Sequence, residues 1–198
     1  MGLFLLIKII MGQYYKAIFL NYKTKKPQIV FNPHSWSNGA KLMEHAYIRN
    51  AMVQYAEAML ESKPQYLVWA GDYADHEEGL DNNLYDLSER QTLNLCPEDF
   101  KDKWLDLRKD NKYLINYTKK KFINKKRASR DEDGNKSFIH PLALITADGN
   151  GRGGGDYSGN DEHLVGHWAK DLIGVARTKT DIPTGFKELY VRFYEENY

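Results

Sequence analysis

Two short apolar runs open the readable part of the chain, Gln13 to Leu20 and Gln28 to Phe31, separated by Lys23-Thr24-Lys25-Lys26-Pro27. This pattern predicts a β-hairpin with a polar turn. Asn32 to Gly39 reads as loop, and its Ser37 or Asn38 is placed to cap a helix. From Ala40 the period changes: Leu42, Met43, Ala46, Tyr47, Val53, Ala56, Met59 and Leu60 recur at helical spacing, and Pro64 closes the run. The spacing predicts one long helix over Ala40 to Ser62, with Leu42, Ala46, Val53 and Leu60 buried. Leu67 to Ala70 is then a short apolar strand.

Further along, Pro97-Glu98-Asp99 starts a second, shorter helix, with proline at the first helical position and acids in the first turn; it is expected to run to about Arg108. Lys112 to Ile123 reads as a strand, Asp131 to Asn135 as a turn, and Phe138 to Ile145 as the return strand, where Pro141 suggests an edge or a bulge. His163 to Arg177 fits either a helix face or two short strands turning at Lys170-Asp171, and Gly166 and Gly174 favour strands. Phe186 to Tyr194 alternates with Leu189, Val191 and Phe193 on one side and reads as a final strand. The expected fold is α+β: a mainly antiparallel sheet with one long helix packed on it and a short helix in an insertion. Residues 1–198 read as a single domain, with 72–111 as an acidic insertion. The apolar stretch 1–10 is far short of the roughly 20 residues that span a bilayer. Because Met11-Gly12 offers a second start, 1–10 reads as an upstream-start extension.

Charge adds little globally. Lys and Arg number 28 against 27 Asp and Glu, a formal net charge of +1, so no overall field points to nucleic acid or a membrane. The local distribution is more informative. Residues 72 to 99 carry nine carboxylates against Arg90 alone, whereas Lys119 to Arg130 holds seven Lys and Arg with Phe122 and Ile123 among them. In an alternating strand Lys119, Lys121 and Lys125 would share one face with Ile123, so neither face is purely basic. Lys120, Lys121, Lys125 and Arg127 are the candidates to meet a phosphate backbone; a soluble edge hairpin guarded by lysines is the alternative. The lone Cys96 excludes an intramolecular disulfide, fits a reducing cytoplasm, and reads as a small core or helix-cap residue. Fourteen tyrosines and four tryptophans imply that amphipathic rings do much of the packing and suit a binding surface.

The most unusual stretch is Thr146 to Gly159, in which six of fourteen residues are glycine. Glycine gives nothing to pack, so a glycine run between apolar segments means a backbone passing very close to something. Gly149-x-Gly151-x-x-Gly154 matches a dinucleotide fingerprint formally, but Gly155-Asp156-Tyr157-Ser158-Gly159 is a poor helix start. The calcium-loop reading fails because Arg152 and Gly159 stand where oxygen ligands belong. An anion nest with Arg152 as its fork-shaped partner is left. Asp148, Asn150, Arg152, Asp156 and Tyr157 are its candidate contacts, and a purely structural crossing is the alternative. No cofactor is called for. Asn32-x-His34, Gly71-Asp72-x-x-Asp75, Gly159-Asn160-Asp161 and Gly166-His167 follow the order of motifs in calcineurin-like metallophosphoesterases. Three of the expected ligands are replaced, so Asp72, Asp75 and His167 form only a weak candidate metal set.

The phrases Met11-Gly12-Gln13-Tyr14-Tyr15-Lys16-Ala17, Lys41-Leu42-Met43-Glu44-His45, Val68-Trp69-Ala70-Gly71-Asp72-Tyr73 and His140-Pro141-Leu142 through Gly154-Gly155-Asp156-Tyr157 resemble a group of small proteins of bacteriophages and mobile elements of gut bacteria. The resemblance covers the chain from Met11 almost to its end and carries no assigned catalytic residue. It implies a non-enzymatic inhibitor, anti-CRISPR-like, that binds a bacterial defence protein or nucleoprotein in the host cytoplasm, with direct nucleic-acid contact possible and no membrane. The residues leave two other readings open: a protein that sequesters a nucleotide through its glycine-rich loop, and a metal-dependent phosphoesterase.

Overall fold

The computed structural model describes residues 13–90, 92–100, 111–128, 139–149 and 157–194. The predicted hairpin is present as β1 (Tyr15–Leu20) and β2 (Pro27–Phe31), and the next strand as β3 (Gln65–Gly71). Later come β4 (Leu93–Asn94), β5 (Tyr113–Asn116), β6 (Lys121–Asn124), β7 (Ala147–Asp148), β8 (Asp171–Ala176) and β9 (Lys187–Glu188). They make one sheet in the order β4-β2-β1-β3-β8-β5-β6-β9, with β7 also paired to β3. The central ladders are antiparallel; β4, β7 and β9 join β2, β3 and β6 in parallel.

The single long helix expected over 40–62 is instead two helices, α1 (Leu42–His45) and α2 (Ala51–Ser62). The chain between them is used elsewhere. Tyr47 bridges to Ile139, and the backbone N–H of His140 donates to Ala46 O at 2.8 Å. Arg49 turns into the left-handed region at φ 75°, and the Asn50 side chain then caps α2 by accepting from Val53 N at 3.3 Å. The apolar stripe survives the break, since Leu42, Ala46, Val53 and Leu60 are all buried. Helical spacing records which face is buried, not whether the backbone is continuous.

Two other expectations fail for related reasons. Lys112 to Ile123 is not one strand but a hairpin, β5 and β6 around a turn in which Asn116 Oδ1 accepts from Lys119 N at 2.7 Å. Its supposed return strand, 138–145, contains α5 (Pro141–Ile145). His140 Nδ1 accepts from Leu142 N at 3.1 Å and so caps this helix, and Pro141 sits in its first turn, where a missing N–H costs nothing. All five residues of α5 are buried, and a short all-apolar run does not distinguish a buried helix from a strand. Between Glu162 and Ala176 a 3₁₀ turn (Glu162–Leu164) leads to the one strand β8. Over 186–194 only β9 keeps a ladder, although Val191 and Phe193 are buried as their alternation required. Pro97–Phe100 opens as a 3₁₀ turn; the rest of the predicted second helix, and the turn at Asp131 to Asn135, lie outside the described residues.

Both faces of the sheet are covered, which is why all six residues of β1 are buried. Tyr15, Ala17, Phe19, Leu67 and Trp69 point into the larger core under α1, α2 and α5. Ile18, Leu20, Val30, Val68 and Ala70 face the other way, against Leu84 of a short helix, α3 (Leu84–Leu87). The acidic stretch after β3 is therefore tied to the sheet. Asn83 caps α3 by accepting from Asp86 N at 3.0 Å and donates to Asp72 O at 3.0 Å and Ala74 O at 3.2 Å.

Candidate functional site

The strands β3 and β7 end side by side at one rim of the sheet. β8 runs antiparallel to the first half of β3, and β7 runs parallel to Trp69 and Ala70 of its second half. Two parallel strands thus stop at one rim of the sheet, with the acidic stretch following one and the glycine-rich stretch the other. Gly71 is required there. A Cβ on it would lie 3.0 Å from Gln13 Oε1, 3.1 Å from Asp148 O and 3.1 Å from Tyr15 Cε1. Gln13 is buried, and its Oε1 accepts from the Tyr15 hydroxyl at 2.6 Å. Its Nε2 has no hydrogen-bond partner among the described residues. An unmet buried donor of this kind costs about 1–3 kcal/mol.

On the α3 face of the same rim, Lys170 Nζ lies 2.9 Å from Asp148 Oδ2 and 2.7 Å from Glu77 Oε1. Burial opposes the charge on Lys170, but hydrogen bonds to Glu77 and Asp148 overcome it and hold the ammonium above its usual range. Asp72 Oδ1 accepts from Tyr14 N at 3.0 Å, and partial burial pushes its carboxyl above the usual range. The rim is a fixed polar surface with more carboxylate than ammonium.

The sequence candidates divide around this rim. Asp148 belongs to it. Tyr157 does not present its ring: it is buried edge-on to Phe193, and its hydroxyl lies 2.5 Å from Asn160 O and 3.1 Å from Tyr194 O. Asn150, Arg152 and Asp156 lie outside the described residues. The basic block is split. Lys120 and Lys121 stay at the β5–β6 turn, whereas Arg127 pairs with Glu188 at 3.0 Å. Lys125 turns inward, its Nζ 2.7 and 2.9 Å from the two oxygens of buried Glu57. It does so because β6 ends at Asn124 and α4 (Lys125–Ala128) begins, which breaks the alternation that placed Lys125 beside Lys121.

Among the described residues no three His, Cys, Asp or Glu side chains gather in an arrangement able to hold a metal. Asp72 and Asp75 follow β3, whereas His167 lies in the positive field of Lys119 and Lys121, which disfavours a cation. Cys96 precedes the 3₁₀ turn Pro97–Phe100, and its N–H donates to Asp99 Oδ2 at 2.7 Å. Hydrogen bonds to Glu98 and Asp99 raise its thiol pKa, so it is a poor nucleophile.

Sequence reasoning missed three polar features. Gln13 reads as an ordinary strand residue. Glu57 lies on the buried side of α2 and accepts from His140 Nε2 at 2.6 Å as well as from Lys125; a lone Glu in an apolar stripe was the only signal. Lys170 had none. His45 is buried with both ring nitrogens engaged: Nδ1–H donates to Gly39 O at 3.0 Å and Nε2 accepts from Trp69 Nε1 at 3.0 Å.

No family model matches the chain, and neither a curated protein nor a solved structure matches it. Among the described residues no helix is long and apolar enough to cross a membrane.

Proposed function

We propose that this protein acts by binding: it occupies and blocks a component of a bacterial defence system, in the manner of a phage-encoded anti-CRISPR-type inhibitor. The class of partner rests on the resemblance of its sequence phrases to small phage and mobile-element proteins. The observation that carries binding is the rim at the ends of β3 and β7. There the Asp148–Lys170–Glu77 cluster and Asp72 are held in place around the exit of the glycine-rich stretch. Such a surface is pre-organised for a polar partner, which reduces the ordering cost of association. Its excess of carboxylates suits a partner presenting basic groups, as a nucleic-acid-binding nuclease does.

The test is plaque formation on isogenic cells with and without a CRISPR nuclease, in the presence of this chain. Expression should restore plaquing on the defended strain and leave the undefended strain unchanged. Arg152→Ala, a candidate from the sequence, should weaken binding to the captured nuclease by about 1.5–3 kcal/mol with an unaltered melting curve. Undiminished defence with every nuclease type tried would overturn the proposal. So would metal-dependent hydrolysis of a phosphodiester that disappears in Asp72→Ala.

A further inference from the structure

We infer that the face beside the β5–β6 turn binds the phosphate backbone of a nucleic acid through Lys121 and Lys187, with Lys119, His163 and His167 at its border. This holds whether or not the chain is an inhibitor, because it uses a different part of the molecule from the β3–β7 rim.

β6 and β9 are parallel neighbours, and Lys121 stands opposite Lys187. Register partners leave a sheet on the same face, and like charges placed so are destabilising. Two residues on, Ile123 and Leu189 reach the larger core, so both lysines emerge on the face that carries α2. Neither has a carboxylate partner among the described residues. Several described acids nearby are already engaged. Asp171 accepts from Asn116 Nδ2 at 2.8 Å and pairs with Lys119. Glu188 points to the other face of β9 and holds Arg127. Asp161 Oδ2 accepts from Arg192 N at 2.7 Å. Asp181 Oδ2 accepts from Thr178 N at 2.9 Å, and among the described residues Glu162 is exposed beside His163.

The lysines are held as a group by backbone. Lys120 turns the hairpin at φ 52°, and its carbonyl accepts from Lys187 N at 3.0 Å. His167 reports the resulting field. Burial first, and then the charges of Lys119, Lys121 and His163, hold its imidazole below the usual range, with Asp171 alone opposing. An uncompensated lysine pair on a rigid ladder is the electrostatic footprint of a phosphate contact. The pair discriminates charge and spacing, not bases, so binding should be insensitive to sequence.

The experiment is fluorescence anisotropy of the full chain with labelled single-stranded RNA, single-stranded DNA and duplex DNA, each across a salt series. We expect binding whose logarithm falls with log salt at a slope near −2, the value for about two to three phosphates. Lys121→Ala with Lys187→Ala should weaken it by roughly tenfold or more and flatten the slope by about one to two. The melting temperature of that variant should be held or raised, since a repulsive pair is removed. Lys23→Ala with Lys26→Ala, in the β1–β2 turn at the opposite end of the sheet, should change neither. No binding at low salt overturns the inference, as does equal loss in the two double variants or no loss in the first. Which of the three probes binds best identifies the nucleic acid. None of these outcomes bears on plaque formation, so the two proposals fail separately.

Discussion

His45 shows how one buried side chain sets a pH dependence. Both ring nitrogens are engaged, Nδ1–H with Gly39 O and Nε2 with Trp69 Nε1–H. This fixes the neutral tautomer, because a protonated ring would have no acceptor for Trp69. Burial lowers its pKa from 6.5 to about 4. Between those values the unfolded chain holds the proton and the folded chain does not. His45 therefore contributes full stability above pH 6.5, and that contribution falls as pH drops toward 4. Urea unfolding should show a loss of roughly 2 kcal/mol between pH 7 and pH 5 from this group. His45→Gln should be less stable at pH 7 but flatter across this interval. A variant with the wild-type slope would show that another group carries the effect.

At the scale of elements, one buried ion pair ties helices that the apolar pattern leaves unrelated. Glu57 comes from α2, Lys125 from the start of α4, and His140 is the cap of α5. His140 Nδ1 accepts from Leu142 N, so its Nε2–H donates to Glu57, and the full positive charge comes from Lys125. Burial alone would raise the Glu57 carboxyl, but Lys125 and His140 outweigh it and hold the group below the usual carboxylate range. Its contribution is thus full above pH 4.5 and is lost as pH falls toward about 2, mostly below the window of His45. Glu57→Ala strands Lys125 in the interior and should cost about 3–5 kcal/mol in chemical denaturation. Glu57→Leu combined with Lys125→Met should recover most of that loss, because a shape-matched apolar pair needs no counter-charge. If the double variant is as unstable as the single one, packing and not charge is what Glu57 supplies.

For the whole molecule the decisive position is the second half of β3. It is paired to β1 on one side and to β7 on the other, with Trp69 in the larger core and Ala70 in the smaller. Gly71 ends it with backbone and side-chain atoms 3.0 to 3.1 Å from where a Cβ would stand. Gly71→Ala should destabilise the fold by about 1–3 kcal/mol, the usual cost of overpacking a closed site. Gly185→Ala is the control: unlike Gly71 it sits at positive φ, 84°, and nothing lies within 4 Å of its Cβ, so only local backbone strain is added. Thermal melts of the two side by side check this, and equal losses would mean that the strand ends are loosely packed.

Local chemistry settled much of this protein from its sequence. The β1–β2 hairpin, the burial of Leu42, Ala46, Val53 and Leu60, and the inward phase of Val191 and Phe193 depend on spacing and turn residues within a few positions. The mixed, mainly antiparallel class followed from those runs. Other features required the tertiary structure, because they depend on partners far along the chain. The helix breaks at Ala46 to Asn50 because Ile139 and His140 use that backbone. Lys125 leaves the basic block because Glu57, 68 residues earlier, waits in the interior. The rim brings Gln13, Gly71, Asp148 and Lys170 together only because β7 and β8 share β3 between them. Apolar periodicity records which way a side chain faces. Which polar groups meet is decided by chain crossings, and these leave no periodic trace.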